Sequence, residues 1–394
     1  MTDGGSTTER LVSLDAFRGI VMLFMSSNGL GIPQAAAHFP QSDAWQQIAG
    51  QLTHAEWVGC TAWDLIQPAF MFMVGVALPW SISNRKARGE SPSRRLGHAL
   101  LRSFLLVLLA VFLTSAGSQQ TEWVFTMVLA QIGLGYPFLY LLAGTRPRTQ
   151  AMAALGILSV YWLAFALHPL PPSEFDRSSV GLPSNWEMLT GFEAHWQKNA
   201  NFAASFDTWF LNLFPREKPF EFNPGGYATL NFIPSLATMI FGAIAGAWLR
   251  TQRPAGRKAV VLAAAGLLGL LLGKAIGESG LCPIVKRIWT PSWAIFSAGW
   301  VCCMLAAFVA VIEAGGWRRW AFPLVVAGLN PITLYCLWQL SGGFLRDTVK
   351  THFGQGCFGV LGEAYAPILE RAAVLFLYWL ILFGMYRRRI FLRL

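Results

Sequence analysis

A histidine and a carboxylate stand ten positions apart in the stretch LTHAEWVGCTAWDLIQPAFMFMVGV, residues 52–76. His54 lies in a polar lead-in with Glu56 and Trp57. Asp64 opens the apolar run that follows, with Gln67 and Pro68 one turn further on. On a helix these last three share a face, because residues three and four apart are neighbours. Ionisable groups at the edge of an apolar span are costly to place, which marks them for function. An imidazole with a carboxylate behind it suits general-base or nucleophilic chemistry, since the carboxylate accepts one ring N–H and leaves the other nitrogen free. The plainer reading, a structural histidine satisfied by its neighbours, stands beside this one. His38, His98, His168, His195 and His352 have no such company.

A second group of polar residues lies in or at the edge of apolar runs: Asn28, Gln131, Asn231 and Asn330. Each fits a helix-to-helix hydrogen bond, and together with Asp64 they also fit the polar lining of a cavity. In SLDAFRGI, Asp15 and Arg18 are three apart and pair on one helical face, either as a functional pair or as a juxtamembrane salt bridge. Lys286 and Arg287 precede Trp289 and suit either an anion or lipid headgroups. The basic loops 85–95 and 250–258 would suit a phosphorylated cofactor, although membrane topology alone explains them. No glycine-rich nucleotide loop, CxxC or HExxH is present. The six cysteines lack metal-ligand spacing, so no metal is expected. Cys302, Cys303 and Cys336 read as packing residues. Cys60, Cys282 and Cys357 fall in loops of one side, where a disulfide among them stays open.

The elements that must position these groups are membrane helices. The chain has 394 residues, 54% hydrophobic and 13% charged, whereas soluble domains carry about 25% charged residues. The net charge of +10 sits in short loops between apolar runs, so it points to membrane topology and not to nucleic acid. Ten spans are expected: 11–32, 61–80, 96–116, 123–142, 151–167, 230–249, 260–276, 293–312, 322–340 and 367–385. Each is near the ~20 residues that cross the hydrocarbon core. The fold class is therefore all-α, a polytopic transmembrane helix bundle, read as one domain over 1–394. Basic residues in one set of loops outnumber those in the other about threefold, which places both termini in the cytoplasm. His54, the Lys286 loop and a long polar segment at 168–227 then face outward. That segment is rich in Pro, Asn, Trp and Phe, and is expected to fold over the membrane surface. Residues 1–10 are polar and expected to be disordered, with no cleavable leader.

The order SLDAFRGI, Asn28, HAEWVGCTAWDLIQPAFMFMVG resembles the heparan-α-glucosaminide N-acetyltransferase family of membrane acyltransferases. The similarity continues through VLAQIGLGY (128–136), NPGGYATLNFIPSLATMIFGAIAGAWL (223–249), CPIVKRIWTPS (282–292), GLNPITLY (328–335) and the closing YRRRIFLRL. The resemblance implies transfer of the acetyl group of cytosolic acetyl-CoA to a glucosamine amine across the membrane. It implies that His54 matches the catalytic histidine of an HAxW segment, Asn28 the buried asparagine of the first span, and Asp64 the aspartate of a DLxFP segment. Here that segment reads DLIQP, and Cys60 stands at a position usually held by another residue, so the acceptor and the choice of N- or O-acetylation stay open.

The expected catalytic residues are thus His54, Asp64 and Asn28, with Arg18, Asn231, Lys286 and Asn330 as expected contacts of the acetyl-CoA donor. In this picture His54 either deprotonates the acceptor or takes the acetyl group itself, while Asn28 and Asn330 hydrogen-bond the thioester oxygen. Expected partners are membrane lipid and a sugar or glycan, with a homodimer left open. The expected location is a bacterial inner membrane, given that no long lumenal domain precedes the first span. Two rival readings are a transporter or flippase for a glycan or lipid precursor, and an assembly partner docking through 168–227.

Overall fold

The computed structural model describes residues 11–172 and 175–392. Residues 1–10, expected to be disordered, lie outside these, as do Arg10 and Arg393 of the charge count. The α-helices of the described residues are α1 Val12–Ser26, α2 Ile32–Ala36, α3 Asp43–Gln51, α4 Ile66–Ala87, α5 Pro92–Ser115, α6 Val128–Leu142, α7 Pro147–Ala166, α8 Phe202–Leu211, α9 Phe232–Leu249, α10 Ala255–Glu278, α11 Pro291–Phe308, α12 Phe322–Gly328, α13 Pro331–Phe353 and α14 Ala366–Arg387. The chain is an all-helical bundle; the extended pairing among the described residues is one isolated antiparallel bridge, Val58 with Val285.

Among the described residues, seven helices are long and apolar enough to cross a membrane, or eight if the pair Arg319–Gly328 and Pro331–Phe353, bent by 67°, is one broken span. The expectation was ten. The difference lies in the first and fourth spans, whose helices α1 and α6 have 15 residues each, or roughly 22 Å at 1.5 Å per residue. The cause at α1 is local. Asn28, Gly29, Leu30 and Gly31 all take positive φ, between 48° and 67°, so the helix stops after Ser26 and the chain restarts with Pro33 in the first turn of α2. At α6 the residues before Val128 are non-helical. There Gln131 donates to the backbone oxygens of Phe125 (2.7 Å) and Thr229 (3.2 Å), tying the non-helical lead-in to the start of α9.

The bundle closes where small residues let backbones meet. α4 and α9 cross at Gly75, Gly242 and Gly246, and a Cβ at these positions would run into the backbone oxygens of Met239, Phe72 and Val76 respectively. Gly19 of α1 and Gly328 of α12 meet in the same way, against Leu324 and Asp15. One large apolar core runs through α1, α4, α6, α9, α11, α13 and α14. A second core gathers Trp57, Tyr161, Phe165, Trp196, Val285 and Ile288 at the end of the bundle where α4 begins. The segment 168–227 supplies part of it through α8, the short turn Gly191–Trp196 and the side chains of Trp186 and Leu189, so it is folded against the bundle as its composition implies. All six cysteines are free thiols, so the disulfide left open among Cys60, Cys282 and Cys357 is not formed.

Candidate active site and the cavities that reach it

The site begins as a helix cap. The backbone N–H of Thr61 donates to Asp64 Oδ2 (3.1 Å), and the backbone N–H of Asp64 donates back to Thr61 Oγ1 (3.3 Å). This is the reciprocal arrangement of a capping box, with Asp in place of the usual Glu. The Ala55 N–H also donates to Oδ2, at 3.1 Å. One oxygen of Asp64 therefore organises the polar lead-in and the entry into α4. The other oxygen is left for the site: Oδ1 lies 2.7 Å from His54 Nδ1 and 3.2 Å from Lys286 Nζ. Asp64 and Lys286 are almost wholly buried, at 1% and 6% side-chain exposure, while the His54 ring is 36% exposed.

Lys286 arrives from a distant loop with its own local logic. Val285 N–H donates to Thr290 Oγ1 (3.0 Å), and the N–H groups of Trp289 and Thr290 close a turn on the oxygens of Lys286 and Val285. Trp289 takes positive φ (48°) and is buried, its indole N–H donating to Thr238 of α9 at 3.3 Å. The loop is then pinned to the His54 segment by the Val58–Val285 bridge and by Gly59 N–H donating to Ile284 O at 2.8 Å. Trp57 secures the other side, buried with its indole N–H on Trp196 O at 3.1 Å.

The proton inventory of the triad is constrained. Lys286 Nζ is 3.0 Å from His54 Nδ1 as well as 3.2 Å from Asp64. An ammonium only donates and a carboxylate only accepts, so Nδ1 cannot serve both at once. The shorter contact, 2.7 Å to Asp64, takes the Nδ1 proton, and Lys286 donates to the same carboxylate oxygen. Nε2 is then the unprotonated nitrogen, available as base or nucleophile. Burial pushes the His54 imidazole below its ordinary value. The hydrogen bond to Asp64 pulls it back, and the Lys286 charge lowers it further. Burial likewise brings the Lys286 ammonium down to about 8, against the pull of Asp64. At neutral pH this gives a neutral imidazole beside a charged lysine and a carboxylate.

His54 opens onto a cavity of about 280 Å³ bordered by Trp63, Gln67, Phe70, Tyr227, Lys286, Tyr335 and Trp338, among others. A second cavity of about 410 Å³ is bordered by Arg18, Arg85, Arg88 and Arg102 at its polar end and by Met73, Val74, Leu106 and Ile132 along its length. Phe70, Val128 and Tyr335 border both. One face of α4 runs through the pair: Ile66, Gln67 and Phe70 on the first, then Phe70, Met73, Ala77, Ser81, Arg85 and Arg88 on the second. That is the three-and-four spacing of a single helical stripe. Among the described residues no carboxylate borders the larger cavity.

The expected site residues divide accordingly. His54, Asp64 and Lys286 come together, with Lys286 a member of the triad, and Arg18 borders the larger cavity while also contacting Asp15 (3.5 Å) and Gly328 O (3.4 Å). The three asparagines do not border the His54 cavity, because their amides are engaged elsewhere. Asn231 donates to Arg287 O (2.8 Å), steadying the lysine loop from the start of α9. Asn330 sits at the α12–α13 break, donating to Ile390 O (3.0 Å) and accepting from Leu392 N–H (2.9 Å). Asn28 accepts from the Trp338 indole (3.1 Å) and borders a separate cavity with Arg371 and Tyr378. Sequence reasoning missed Tyr227, Tyr335 and Trp338. The spacing 331, 335, 338 in one apolar helix was the available signal for the latter two, but it reads equally as packing.

No family model matches the chain. It is 31% identical over 106 residues to human (Homo sapiens) heparan-alpha-glucosaminide N-acetyltransferase, a stretch that is 27% of this chain and 14% of that protein. It is 28% identical over 110 residues to the mouse (Mus musculus) protein of the same name, 28% of this chain and 15% of that one. The chain thus spans about a seventh of the length of these curated relatives.

Proposed function

We propose that this protein is a transmembrane acetyltransferase, in which acetyl-CoA enters at the arginine end of the larger cavity and the acetyl group reaches an amino-sugar acceptor at His54. The observation that carries this is the single face of α4, which leads from Arg85 and Arg88 to the mouth of the His54 site. The partial similarity to relatives named for N-acetyl transfer to heparan-alpha-glucosaminide supports it. The residues fit such a donor. Four arginines, with no lining carboxylate among the described residues, suit phosphates, which guanidinium groups bind well, and the apolar length beyond suits a narrow acyl-carrying arm. The donor supplies an activated thioester. Asp64 fixes the tautomer of His54, and His54 Nε2 either takes the proton of the acceptor amine as it attacks the thioester carbonyl, or is itself the attacking atom and then passes the acetyl group to the amine; in either route the C–S bond breaks and CoA leaves as its thiol, taking up the proton the amine gives up. Lys286 holds the compensating charge, and Tyr335 and Trp338 shape the wall where the two substrates meet. The chain 1–394 acts as one membrane unit, with both termini and the arginine end in the cytosol and the membrane that of the bacterial cytoplasm.

The test is acetyl transfer in proteoliposomes, with labelled acetyl-CoA on one side and glucosamine on the other. Label should reach the acceptor in the wild type. His54→Ala should lose transfer by 10²–10⁴-fold, the usual range of a general base, while acetyl-CoA still raises its melting point. If the acceptor crosses unacetylated, and His54→Ala crosses as well, the joined cavities and the broken α12–α13 span serve transport instead. A stable acetyl-enzyme with ping-pong kinetics would select the covalent route.

A further inference from the structure

A third cavity, of about 240 Å³, lies between α4, α5 and α6 at the arginine end of the bundle. Arg85, Arg95, His98 and Arg102 border it, with Leu101 and Leu105, and among the described residues no carboxylate does. Arg85 is paired with Glu90 at 3.0 Å. Arg102 lies 4.7 Å from the Tyr136 ring centroid and donates to its hydroxyl at 3.3 Å. The Nε atoms of Arg95 and Arg102 are buried without a hydrogen-bond partner. Among the described residues no carboxylate forms an ion pair with Arg95, His98 or Arg102. Glu90 answers Arg85 and lies within electrostatic reach of His98, which leaves Arg95 and Arg102 as guanidinium groups at a membrane boundary with no carboxylate paired to them among the described residues, and such groups call for an anion.

The shape of the surroundings says which anion. From His98 the same face of α5 continues through Leu101, Leu105, Leu108 and Phe112, which are 53%, 36%, 43% and 61% exposed. α5 is largely uncovered, with 28% of its apolar window inside the protein. A phosphate on the cations therefore has an apolar track leading away from it along the outside of the bundle. A soluble phosphate has no use for that track; a lipid needs it. We propose that this cavity binds the phosphate headgroup of an anionic phospholipid, its acyl chain lying along the Leu101–Phe112 face of α5. Arg85 and Arg102 border both this cavity and the larger one, so the bound headgroup forms part of the wall of the larger cavity.

Native mass spectrometry of the full chain in detergent tests this, using phosphatidylglycerol and phosphatidylcholine of identical chains. The wild type should retain phosphatidylglycerol about tenfold over phosphatidylcholine, as two or so ionic contacts allow. Arg95→Gln combined with His98→Gln should bring the ratio close to one, and Arg95→Lys should largely keep it, which separates loss of charge from loss of fold. Equal retention of the two lipids by the wild type, or an undiminished preference in the double variant, overturns the site. A third arm adds soluble compounds. Displacement of the lipid by acetyl-CoA but not by dephospho-CoA would reassign the cations to a phosphate of the donor and overturn the lipid reading. Retention of the lipid at saturating acetyl-CoA upholds it.

Discussion

The Lys286 ammonium stands 3.2 Å from the Asp64 carboxylate, although the two residues lie in different halves of the chain. This contact makes His54 more than a histidine with an acid behind it. The imidazole shares its carboxylate with a buried cation, and that cation is 3.0 Å from the same ring nitrogen.

Under the proposed acetyl transfer, the pairing predicts a bell-shaped pH dependence. The acid limb follows protonation of His54, whose value is held below 6.5 by burial and by the Lys286 charge. The alkaline limb follows loss of the Lys286 proton at about 8. Because Lys286 lowers the pKa of His54, Lys286→Met should move the acid limb to higher pH and remove the alkaline limb. Lys286→Arg should leave the acid limb near its original position. Rates against pH for the three proteins check this. An acid limb that stays in place in Lys286→Met would mean that the lysine does not act on the imidazole.

The same lysine predicts a stability signature. Its folded value of about 8 lies below the unfolded value near 10.4. The unfolded chain therefore binds more protons between the two, and stability rises with pH there. The stabilisation is fully present above the unfolded value and is lost as pH falls through about 8. Melting temperature of the wild type should climb from pH 8 to 10, and Lys286→Met should be flat by comparison. At pH 7, where the charged lysine carries its full burial cost, Lys286→Met should be no less stable than the wild type, because Asp64 keeps its N–H donors from Ala55 and Thr61.

Trp57 links the outer segment to the site and carries a structural prediction. It is 6% exposed and donates its indole N–H to Trp196 O. Trp57→Ala should cost about 3–5 kcal/mol, the usual range for a buried aromatic. It should also loosen the segment ending at Val58 against the Lys286 loop. Hydrogen exchange over 54–61 and 282–290 should rise in the variant, while the α4–α9 crossing at Gly75 and Gly242 stays protected.

How much of this was legible beforehand depends on distance along the chain. The His54–Asp64 pair was legible because both partners belong to one lead-in and helix start, and Thr61-x-x-Asp64 is a local cap. The membrane helices were legible from apolar length, with the long polar segment read correctly as folded. The short α1 was not foreseen. Its run through Asn28–Ile32 is apolar enough to extend a span, and the left-handed backbone that stops it is signalled only by Gly29, Gly31 and Pro33. The role of Lys286 was out of reach, since the contact joins two loops through a bridge between Val58 and Val285 that no pattern announces. The buried amides were read in two ways at once, and tertiary packing decided for backbone contacts at Gln131, Asn231 and Asn330.

The shared face of α4 makes the sharpest prediction. Phe70 borders both cavities, with Val128 and Tyr335, so any passage between them is as wide as the side chain there allows. If the donor arm must pass it to reach His54, enlarging it should obstruct the arm without touching either end. Phe70→Trp should therefore leave the binding of CoA at the arginine end within about threefold, roughly 0.6 kcal/mol, while transfer falls at least tenfold in kcat. Phe70→Ala should admit longer acyl chains, shifting the preference from acetyl toward butyryl donors. Direct binding of CoA, set beside steady-state rates with the two acyl-CoAs, separates passage from recognition. Unchanged kcat in Phe70→Trp, with the fold intact by melting temperature, would mean that the two cavities do not communicate in the working protein, and that the acyl group reaches His54 from another side.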